Sequence, residues 1–66
     1  MDPNANLDEQ RRLQRTLCAL DKPYLTAAEE VTRVQTLELI AELAEELDHW
    51  LSRGGFYPKA WKGENR

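Results

Sequence analysis

From Ala27 to Ser52 the chain runs without a proline or glycine, and its apolar residues recur at helical spacing. Val34, Leu37, Ala41, Ala44 and Leu51 form one stripe, and Leu39, Ile40, Leu43, Leu47 and Trp50 form a second beside it. Gln35, Glu38, Glu42, Glu45, Glu46 and His49 fill the remaining arc. This pattern predicts one long amphipathic helix over about 27–52. Thr26, with Glu29 three residues on, is a capping box at its start. Glu29 and Glu30 suit the positive end of the helix dipole. Gly54, in the left-handed position after the last turn, is its stop. A shorter pattern precedes it: Leu13, Leu17 and Leu20 recur at i, i+4 and i+7. Asn6, with Glu9 three residues later, predicts the cap of a helix over about 7–20. Asp8 and Arg12 are spaced for a stabilising pair on that helix. Met1 to Ala5 reads as a flexible tail, and Pro23 in "DKPYL" ends the first helix nearby.

The predicted fold is therefore all-α: an antiparallel helical hairpin with a short first helix, a long second helix and an aromatic C-terminal tail. At 1.5 Å per residue the long helix spans ~39 Å and the short one ~21 Å. One short helix covers one apolar stripe, and two stripes are present. The expected spare stripe contains Leu39, Leu43 and Trp50. Its simplest burial is a two-fold dimer, which makes a four-helix bundle.

The tail, "LSRGGFYPKAW", begins at the glycines. A phosphate-binding glycine loop precedes a helix, whereas this pair follows one. Phe56, just past the stop, is placed to pack on the last helical turn. Trp50, Phe56, Tyr57 and Trp61 are expected to form one cluster on the end of the long helix, with Trp61 largely buried. The same rings are a candidate hot spot for a protein partner.

Length and charge narrow the function. Sixty-six residues make a single small domain, spanning 1–66, with 53–66 as the tail. Such a chain usually draws stability from disulfides, a metal or a second subunit. Cys18 is the lone cysteine and His49 the lone histidine, which leaves association, or unusually good helix packing, as the expected source. The net charge of −3 is a poor match for nucleic acid or an anionic membrane. No apolar run approaches a membrane span, and "MDPNANLDEQ" does not read as an export signal. One unpaired thiol fits a reducing cytoplasm.

Candidate chemistry is sparse. Glu46 and His49 have the spacing of half a di-metal carboxylate site, but both fall on the polar face, away from any inward carboxylate of the first helix. Cys18 reads as a packed residue beside Leu17 and Leu20. No nucleophile or acid–base constellation is evident, so neither an enzyme nor a cofactor-binding protein is expected. Arg53, Lys59, Lys62 and Arg66 interleave with Tyr57 and Trp61, which suits single-stranded nucleic acid in type but lies beside a strongly acidic helix. The expected role is a protein–protein interaction protein, with a small nucleic-acid-associated regulator using the tail as the alternative. The candidate surface is Leu39, Leu43, Trp50, Phe56, Tyr57 and Trp61.

The end of the chain carries Asp48, Trp50, Leu51, Ser52, Gly54, Gly55, Phe56, Pro58 and Trp61 in the order D-x-W-L-S-x-G-G-F-x-P-x-x-W. This resembles a signature of small uncharacterised proteins of actinobacteria and their phages. The resemblance covers the last third of the chain. It implies a small cytoplasmic protein associated with a phage or mobile element, located in the host cytoplasm if phage-encoded; a host protein is a candidate partner beside a second copy of the chain. It implies no activity.

Overall fold

A computed structural model describes residues 1–62. The end of the tail, with Arg66, lies outside the described residues. Two helices form a hairpin, α1 (Pro3–Ala19) and α2 (Ala27–Ser52), followed by a 3₁₀ turn over Lys59–Lys62. Among the described residues there is no strand.

α2 has the expected bounds. Thr26 Oγ1 accepts from the Glu29 backbone N–H at 3.1 Å, and the Glu29 carboxylate accepts from the Thr26 N–H at 2.9 Å. Lys22, from the connection, pairs with the same carboxylate. These contacts draw the Glu29 pKa below its ordinary value, the Lys22 hydrogen bond first and the Thr26 N–H second. At the other end Gly54 takes φ +84°. The Gly54 N–H donates to the Leu51 carbonyl at 3.0 Å and the Gly55 N–H to the Trp50 carbonyl at 2.9 Å. These two bonds make a Schellman stop.

α1 starts earlier than its sequence suggests. Asp2, not Asn6, is the N-cap, its carboxylate accepting from the Asn4 N–H at 2.9 Å. Pro3 occupies the first helical turn, where a missing N–H is harmless. Residues 3–5 are thus helical. Asn6 is released from capping and is buried in the interface between the helices. Its Nδ2 donates to the Leu43 carbonyl at 2.9 Å, and its Oδ1 accepts from Gln10 Nε2 at 2.7 Å. The charge pair on this helix joins Arg12 to Glu9 rather than to Asp8.

The Asn6–Leu43 bond near one end and the Lys22–Glu29 pair near the other fix an antiparallel register. That register brings Leu13 opposite Thr36, and both are buried. The interior is small: Leu7, Leu13 and Leu47 are its buried large aliphatics, joined by the fully buried Pro3 and Pro58. Asn6, Gln10 and Thr36 share it, Thr36 donating to the Thr32 carbonyl at 2.7 Å. Among the described residues no buried side-chain polar atom lacks a partner. The hairpin measures 42 × 27 × 14 Å, one helix thick.

Candidate interaction surface

α2 points its second stripe, not its first, at α1. Leu47 is buried, Ile40 and Leu43 are half-buried, and the Leu43 carbonyl holds Asn6. Leu43 therefore belongs to the junction between the helices and does not head a free surface. Leu39 lies at the rim of the same stripe, above a cleft it shares with Glu9, Arg12, Leu13 and Glu42. The open stripe is the other one. Val34, Leu37, Ala41 and Ala44 are exposed, and Leu51 is half-buried. Val31, Val34, Leu37 and Leu39 each leave 44–56% of their surface in water. Leu37 and Arg33 also line a shallow groove with Leu17, Cys18 and Leu20 at the far end of α1. Cys18 is exposed rather than packed, because it sits on the flank of α1 and not in its interface.

The aromatic tail folds back, but as two pairs rather than one cluster. Trp50 meets Phe56 edge-on, with centroids 5.4 Å apart and planes at 89°. Its Nε1 donates to the Phe56 carbonyl at 3.0 Å. The indole lies directly over Gly55, where an added Cβ would fall 2.3 Å from Trp50 Cε2 and Nε1. Tyr57 and Trp61 form the second pair, 6.4 Å apart and tilted by 38°. Phe56, Tyr57 and Trp61 are each 50–57% exposed, so Trp61 is not a core residue. The anchor of the return is Pro58, with the Lys59 N–H donating to Asn4 Oδ1 at 2.7 Å. The tail thus lands on the start of α1 as well as on the end of α2.

The polar candidates stay dispersed. His49 is exposed and lies 3.9 Å from Glu45, not paired with Glu46. It shares a broad, open groove of about 510 Å³ with Met1, Glu42, Glu46, Trp50 and Arg53. Among the described residues no group of three or more histidine, cysteine or acidic side chains has the placement to hold a metal. No helix is long and apolar enough to cross a membrane, among the residues described. The chain matches no protein-family model, no curated protein and no solved structure.

Proposed function

We propose that this chain is a small non-enzymatic interaction protein that self-associates through the long helix and acts on a protein of a host cell in a phage or mobile-element setting. The observation that carries the reading is the imbalance on α2. Four branched aliphatics stand about half in water on it, while the interior holds three large buried ones. A layer one helix thick buries one face of each helix, and stable domains pack at least two layers. A second layer from another protein molecule supplies the missing burial, at ~25 cal/mol for each Å² of apolar surface removed from water.

The Tyr57–Trp61 pair beside Lys59 supports the competing reading, a nucleic-acid-associated regulator. Thermal unfolding across a wide range of chain concentration tests the proposal. A midpoint that climbs with concentration is expected, because association stabilises the folded form by mass action. A concentration-independent midpoint, with steeply salt-dependent retention on single-stranded nucleic acid, would replace it with the regulator.

A further inference from the structure

The charges beside the open stripe single out one occupant, a second copy of this chain, and one geometry. We infer that two α2 helices pack antiparallel on each other through Val34, Leu37, Ala41 and Ala44, about a two-fold axis near Ala41. This rests on the self-association proposed above and specifies the face. On a helical wheel this flank lies about 90° round from the Ile40–Leu47 side that α1 occupies, so both contacts fit on α2 at once.

Arg33 and Asp48 stand beside the flank about two turns on either side of Ala41. An antiparallel pair therefore sets Arg33 against Asp48 of the second copy, twice. A parallel pair would set every charge against its own kind. Within one chain Arg33 has only Glu30, at 3.6 Å, and Asp48 forms no ion pair among the described residues. The apolar residues agree with the charges. Leu37 stands one turn before Ala41 and Ala44 one turn after, so each leucine meets the short side chains of the other copy.

One feature opposes the contact and makes it testable. Glu38 and Glu45 line the outer edge of the stripe, and the antiparallel pairing brings Glu38 near Glu45 of the second copy. Glu38→Lys should then tighten the dimer several-fold. A looser dimer in Glu38→Lys would contradict this pairing. Leu37→Glu, at an exposed position, should leave the monomer helical and raise the dimer Kd by more than about tenfold, because it seats an unpartnered charge in an apolar contact.

Disulfide trapping decides the geometry. In a Cys18→Ser background, Ala41→Cys should give an interchain disulfide rapidly under mild oxidation, since the axis holds the two positions close. Leu39→Cys, on the opposite rim, should not. A dimer by sedimentation that Ala41→Cys fails to trap would overturn this inference and leave self-association standing. A chain that stays monomeric without any substitution would overturn both.

Discussion

At Gly54 the backbone is left-handed, φ +84°, and an added Cβ would have nothing within 4 Å. Gly54→Ala should therefore cost only the left-handed penalty, roughly 1–2 kcal/mol. Gly55 is needed for a different reason, the indole lying over it. Gly55→Ala must push Trp50 aside, losing its bond to the Phe56 carbonyl and the edge-on stack. A cost of about 1–3 kcal/mol is expected. In a Trp61→Phe background, red-shifted Trp50 emission should accompany Gly55→Ala but not Gly54→Ala; equal emission in the two variants would contradict the separate roles. The sequence made the first glycine legible, because a helix stop demands left-handed geometry. It could not show the second, which depends on where a ring folds. Asn6 was illegible for a related reason. An asparagine three residues before a glutamate reads as a cap, and only the partners across the hairpin, Leu43 and Gln10, reveal a core residue. The overlooked signal of the earlier start is the Asp2–Pro3 pair, a capping residue followed by a proline at the first helical position.

α2 was the most legible element, since its two ends carry strong and independent signals. Its capping box also gives the fold a pH dependence. The Glu29 carboxylate is held below its ordinary pKa of 4.5 by Lys22 and the Thr26 N–H. A depressed folded pKa means a contribution present above 4.5 and lost as pH falls through the lower folded value. Glu29→Gln should therefore flatten the loss of thermal stability in that acid window, with little change in its shape near neutrality. An unchanged acid profile would contradict the Lys22–Glu29 contact. The tail was half legible. Its rings announced packing, but its landing site on Asn4 lies 55 positions away in sequence and leaves no local trace. Deleting residues 57–66 should uncover Pro3 and remove the buried Pro58, at a cost of about 2–3 kcal/mol. The hairpin should stay helical, because the Trp50–Phe56 pair and the Gly54 stop remain. A deletion without effect on unfolding would mean that the tail only rests on the hairpin.

On the scale of the whole molecule, periodicity established two apolar stripes on α2 but not which one α1 would take. The choice follows from register. Asn6 reaches the Leu43 carbonyl, Leu13, Thr36 and Leu47 are buried, and Val34 and Leu37 stay out in water. The expected spare surface at Leu43 is thus part of the hairpin itself, and the open one lies a quarter turn away. A single helical layer with so few buried aliphatics is a weak domain alone and a reasonable half of a larger one. Sedimentation equilibrium of the unmodified chain at micromolar concentration tests this most directly. The account predicts a mass near 15 kDa, twice the 7.7 kDa of one chain. A folded, thermally stable species of 7.7 kDa would contradict it.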